Sequence, residues 1–123
     1  FCKMLRKMRK WKMNRKQVKN EGEYTPWVRL KDVHDKTRVY EYKLEGCMVV
    51  GRDPHLCDVA IVEEPTVSGR QCRLYTEENE VYLMDLDGTN PTYYNNEKVV
   101  EDVTLRSGDV ISFGEMDFYV EIK

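Results

Sequence analysis

From Thr25 to the end of the chain, apolar and polar positions alternate in short runs, and turn residues break one run from the next. A period of two puts one face of a strand on a core and the other in water. The runs cover Trp27 to Val33, Arg38 to Glu45, Cys47 to Gly51, Val59 to Val62, Gln71 to Thr76 and Val81 to Leu86. They continue with Thr92 to Tyr94, Lys98 to Val99, Val103 to Leu105, Val110 to Phe113 and Asp117 to Ile122. The last is the clearest: Phe118, Val120 and Ile122 share one face, and Asp117, Tyr119 and Glu121 the other. Glu45-Gly46, Asp53-Pro54, Asn95-Asn96 and Ser107-Gly108 supply turn chemistry between runs. Closely spaced strands with no helix among them predict an all-β sandwich rather than a βαβ fold.

The first twenty residues follow another rule. Phe1, Met4, Leu5, Met8 and Trp11 recur at helical spacing, and bases fill the remaining arc, which predicts a basic amphipathic helix. The pattern stops at Asn20-Glu21-Gly22-Glu23, so the chain divides into a helix or juxtamembrane linker over 1–22 and a domain over 23–123. The helix fits several roles: a linker packed on the domain, attachment to an anionic membrane surface, the cytoplasmic flank of a membrane span, or nucleic-acid binding. Nucleic acid fits least, because the acidic remainder repels the phosphates that the helix attracts.

Charge makes the division quantitative. The formal net charge is -2, yet residues 1–20 hold nine bases and no acid, while the other 103 residues hold 11 bases and 22 acids. No apolar run is long enough to span a bilayer, and no uninterrupted apolar stretch follows the basic residues as a secretory signal requires. Phe1 at the start predicts a piece of a longer protein or a processed product. Four irregularly spaced cysteines in 123 residues favour reduced thiols and a cytoplasmic setting, including the cytoplasmic part of a membrane protein.

Catalysis finds no candidate. The two histidines, His34 and His55, sit in no nucleophile signature, and no glycine-rich nucleotide loop is present. His55 and Cys57 beside Asp58 lack the second ligand pair of a closed metal site, so the reading is no enzyme, no metal and no cofactor.

The loops are more telling. Gly51-Arg52, Ser68-Gly69-Arg70 and Thr89-Asn90 bring arginine forks, hydroxyl donors and approachable backbone N–H groups, which suit an oxyanion if the loops converge. Together with Val49-Val50-Gly51-Arg52, Asp58-Val59-Ala60-Ile61, Ser68-Gly69-Arg70-Gln71, Asp85 to Thr92 and Leu105 to Gly114, the chain resembles the forkhead-associated (FHA) domain over about residues 25–123. The resemblance implies an eleven-stranded SMAD/FHA-like sandwich that binds phosphothreonine peptides at one end, in kinase signalling.

Position by position, it implies that Arg52 pairs with the phosphate and Ser68 donates its hydroxyl to it. Gly69 and Arg70 flank that contact, Thr89 helps hold the phosphate, and Asn90 hydrogen-bonds the peptide backbone; Gly51 and Gln71 support the loops. A phosphate dianion receiving several charge-assisted bonds gains roughly 1.5 to 3 kcal/mol from each before desolvation. Three departures stand out. Gln71 replaces a bracing histidine, Pro91 replaces a glycine after Asn90, and Thr66 lies where some relatives carry an arginine that selects an acidic residue. The rival expectation is an FHA scaffold that docks unmodified proteins. Thr25, in Glu-Gly-Glu-Tyr-Thr-Pro, adds a further one: phosphorylated, it would occupy its own site or that of a neighbouring copy.

Overall fold

Eleven strands cross the described residues, 24–123, of the computed structural model; the basic helix expected over 1–22 lies outside them. They are β1 (Trp27–Asp32), β2 (Val39–Lys43), β3 (Cys47–Gly51), β4 (Val59–Ala60), β5 (Cys72–Glu77) and β6 (Glu80–Asp85). Then follow β7 (Thr92–Tyr94), β8 (Glu97–Lys98), β9 (Val103–Leu105), β10 (Val110–Phe113) and β11 (Met116–Ile122). One sheet runs β2-β1-β11-β10-β7-β8 and the other β4-β3-β5-β6-β9, so the expected all-β sandwich is what forms.

The period-two pattern explains the layering. Val28 and Leu30 of β1 are buried while Trp27 is exposed, and Phe118 and Val120 of β11 are buried while Tyr119 is exposed. The inner faces meet in one core that includes Leu30, Met48, Val50, Leu74, Leu83, Ile111, Phe113 and Phe118. Phe113 and Phe118 pack at 5.6 Å, and Tyr40 closes the side with its ring edge-on to Phe118, the centroids 5.9 Å apart. Burying such side chains, each worth about 1.5 to 3 kcal/mol, is the main driving force that fixes the strands.

Turns fall where the backbone must take positive φ. Gly46 and Gly108 have φ of 96° and 99°. Asn95 and Asn96, at 47° and 74°, close the β7–β8 hairpin with the paired left-handed residues of a tight hairpin turn. Glu78 and Asn79, at 53° and 63°, do the same between β5 and β6, a turn with no glycine to announce it. Observed strand ends differ from those of the apolar runs: Ile61 and Val62 lie beyond the end of β4, β5 starts one residue later, after Gln71, and β11 starts one residue earlier, at Met116. Hydrogen-bond pairing, not side-chain type, sets those ends.

The antiparallel register of β1 and β11 orients the molecule. Asp32 lies opposite Phe118 at one end, and Val28 opposite Ile122 toward the other. At the first end the loops after β1, β3, β4, β6 and β10 are joined by side-chain and backbone bonds. At the second, Trp27 exchanges backbone hydrogen bonds with Lys123 at 3.2 and 2.9 Å. Cys57 and Cys72 are free thiols. Among the described residues, no helix is long and apolar enough to cross a membrane.

Candidate functional site

Gly51 ends β3 because only a residue without a β-carbon fits there. A β-carbon would press into the carbonyl oxygen of Gly69 and come within 2.8 Å of Cys57 Sγ and 2.9 Å of Arg70 Cα. The close approach lets the chain after β3 pair with the loop before β5: the N–H of Arg52 donates to Ser68 O at 2.9 Å and that of Asp53 to Gly69 O at 3.1 Å. Cys57 adds its thiol to the same Gly69 carbonyl at 3.0 Å. Burial, the leading cause, pushes that thiol's pKa up, so it serves as a neutral donor. His55 meanwhile gives its backbone N–H to Asp53 at 2.9 Å, so the His55–Cys57 pair builds a turn.

Arg52 leans across the β4–β5 loop. Its Nη1 donates to Pro65 O at 3.1 Å and to Val67 O, which leaves Nε and Nη2 without a bond among the described residues. Neither Arg52 nor Arg70 belongs to an ion pair there, although 20 acids and 11 bases share residues 24–123. Arg70 is exposed beside Gly69.

Ser68 is 7% exposed, and its Oγ accepts the N–H of Asn90 at 3.1 Å. A hydroxyl that accepts in this way still has its own hydrogen to donate. Gly88 makes room for it: a β-carbon there would come within 2.6 Å of Ser68 Cβ and Oγ. Beneath both loops lies Gln71, fully buried. Its Oε1 accepts Ser68 N–H at 2.9 Å, and its Nε2 donates to Asn90 O at 2.8 Å and to Thr92 Oγ1 at 2.9 Å. One amide thus ties the β4–β5 loop to the β6–β7 loop, a task that needs one acceptor and two donor hydrogens.

Asn90 faces the third loop segment. Its Nδ2 donates to Thr66 O, while its Oδ1 makes no bond among the described residues. Thr89 beside it is exposed and likewise unbonded there. Pro91 follows with no N–H to offer, and the chain passes into β7 at Thr92. The structure therefore brings Arg52, Ser68, Gly69, Gln71 and Asn90 into one bonded network, sets Gly51 under it, and leaves Arg70 and Thr89 exposed at its edge.

Sequence reasoning passed over Gly88, Thr92 and Cys57 as parts of this network. Gly88 had a signal in Asp87-Gly88, but its contact with Ser68, about twenty residues back, had none. Thr25 lies away from the site. Pro26 O accepts the N–H of Leu44 at 2.8 Å at the end of the sandwich where β1 begins, and the loops lie where β1 stops. A six-residue strand spans about 20 Å, so Thr25 cannot reach its own Arg52 while β1 stays in its sheet, and only a neighbouring copy's site remains open to it.

Comparison with known proteins gives the family and the fold. Residues 48–114 match the sequence model of the FHA domain. The mouse proliferation marker protein Ki-67 is 34% identical over 94 residues, which is 76% of this chain and 3% of that protein. The chain thus spans a small part of that relative's length. A solved structure reported as "Structural and functional analysis of phosphothreonine-dependent FHA domain interactions" superposes with a TM-score of 0.68 at 28% identity, covering 79% of this chain and 97% of its own. The FHA domain of an Arabidopsis thaliana hypothetical protein gives 0.70 at 27%, covering 82% and 89%.

Proposed function

The chain belongs to the forkhead-associated domain family, and we propose that it is a phosphothreonine-dependent protein-interaction module without catalysis of its own. The observation that carries this reading is a pair of unspent donors fixed on one loop: Ser68 belongs to the β4–β5 loop, and Arg52 is held by two carbonyls of that same loop. Arg52 keeps Nε and Nη2 free of other partners among the described residues, and Ser68 keeps its hydroxyl hydrogen, both held in place by carbonyls and by Gln71. A phosphate of about -1.5 to -2 charge takes up both, with Arg70 and Thr89 at the rim adding a charge and a hydroxyl. Asn90 Oδ1 then accepts a backbone N–H of the ligand, since Nδ2 is committed to Thr66.

Such a module works downstream of a threonine kinase, inside the cell where kinase and ATP meet. Threonine is told from serine by one methyl group in an apolar recess, a difference of about 1 to 3 kcal/mol. The relative with phosphothreonine-dependent interactions supports this reading by its likeness.

Calorimetric titration with matched phosphothreonine, phosphoserine and unmodified peptides tests it. Phosphothreonine should bind, phosphoserine should bind about tenfold more weakly, and the unmodified peptide should not register. Arg52→Ala should remove phosphate-dependent binding, and Arg52→Lys, which keeps a charge but loses the fork, should recover only part of it. Equal binding of all three peptides, unchanged by Arg52→Ala, would leave a scaffold for unmodified partners instead.

A further inference from the structure

Two glutamates meet beside the site. Thr66 is the junction on one side: its Oγ1 donates to Glu64 Oε2 at 2.6 Å and accepts the N–H of Glu115 at 2.9 Å. Its carbonyl oxygen accepts Asn90 Nδ2. Gly114, at φ 62°, allows this meeting, because a β-carbon there would press on Thr66 O and lie 2.5 Å from Thr66 Oγ1. Residues 64 and 115 are therefore fixed to the same residue that holds Asn90. Neither Glu64 nor Glu115 makes an ion pair among the described residues, whereas the neighbouring Glu63 lies 3.7 Å from Arg38. Arg70, exposed beside Gly69 at the edge of the site, carries the opposite sign.

A second observation comes from the whole domain. With 20 acids and 11 bases over residues 24–123, the field outside the pocket repels a phosphorylated segment that brings no positive charge of its own. Local and global charge call for the same compensation. We infer that the partner is a phosphothreonine segment carrying lysine or arginine on the flank that passes Asn90, received by Glu64 and Glu115 on either side of Thr66.

The inference rests on the phosphothreonine reading and narrows it to a class of ligand. A backbone held by Asn90 Oδ1 runs past Thr66, so a basic side chain on that flank reaches two carboxylates that form no ion pair among the described residues. An acidic side chain there meets them as like charges. Thr66 itself contributes position only, keeping Glu64 folded against the loop and the β10–β11 turn close by.

The test uses phosphothreonine peptides that are identical except for lysine, alanine or glutamate on one flank, made separately for each flank, with unphosphorylated controls. On one flank lysine should bind about three- to fivefold more tightly than alanine, and glutamate more weakly than alanine by a similar factor. The other flank should show a smaller spread. In the double variant Glu64→Gln, Glu115→Gln, which keeps an acceptor for Thr66, the lysine advantage should fall below about twofold. Glutamate binding as well as lysine on both flanks overturns the inference. So does an equal spread on both flanks untouched by the double variant, since bulk charge then explains it. Phosphate-dependent binding with no flank preference removes this inference alone; phosphorylated and unphosphorylated peptides binding alike remove the phosphothreonine reading and this one with it.

Discussion

Gln71 shows how much of the site depends on one uncharged side chain. Its three bonds satisfy Ser68 N–H, Asn90 O and Thr92 Oγ1, groups drawn from two loops and a strand start. A neutral imidazole, with one donor and one acceptor, supplies two of those three, so the amide is a fuller substitute for the family's usual histidine than its size suggests. Gln71→Ala leaves a buried donor and acceptors without partners and should cost on the order of 3 kcal/mol. Thermal denaturation should show a melting point lower by roughly 10 to 20 °C. Binding measured well below that point should also weaken, because Ser68 and Asn90 lose their common support. That Gln71 belonged to the site was legible in the sequence from its place after Ser68-Gly69-Arg70. Which partners it takes was not, since Asn90 and Thr92 are about twenty positions away and nothing local encodes the contact.

Among elements, the strands were the legible part. Alternation in β11 reports a half-buried sheet face directly, and Phe118 and Val120 are buried on the expected face; β1 alternates in the same way. Short edge elements were less so: β8 is Glu97–Lys98, while Val99, the apolar residue that suggested a strand one position later, is buried beyond the strand's end. Burial and ladder pairing are separate demands, and at an edge they part. The β1–β2 loop and the β10–β11 hairpin are linked by His34 Nε2 and Asp117 Oδ2 at 2.9 Å, and this contact is pH-dependent. Hydrogen bonding from Ser112 first and His34 second holds the Asp117 carboxyl below the ordinary aspartate range. A depressed folded pKa contributes stability that is complete above the unfolded value and disappears as pH falls through the folded one. Asp117→Asn should therefore lower stability toward urea at about pH 7, and the deficit should shrink as pH falls below the ordinary aspartate value of about 3.9 and the wild-type carboxyl takes up its proton.

At the scale of the molecule, the sandwich is a rigid frame that brings five loops to one end, and the division of charge is as informative as the fold. The formal charge of -2 averages a basic N-terminal segment with an acidic domain, in which Arg52 and Arg70 lie at the loops outside any ion pair among the described residues. A residue count reads the contrast between segment and domain at once. It does not reveal that Arg52 stays out of ion pairs in an acidic setting, because that follows from where the loop carbonyls sit.

Those carbonyls have a consequence for kinetics. With Pro65 and Val67 holding Arg52 and Gln71 clasping two loops, the ligand meets a site that has already been arranged. Association then has no ordering step to wait for, and differences among ligands belong to their dissociation rates. In rapid-mixing experiments the observed rate should rise linearly with phosphopeptide concentration, at about 10⁶ to 10⁷ M⁻¹s⁻¹ or faster when basic flanks steer the encounter. Peptides of graded affinity should share that slope and differ in intercept. A plateau at high concentration would mean that the loops rearrange before they bind.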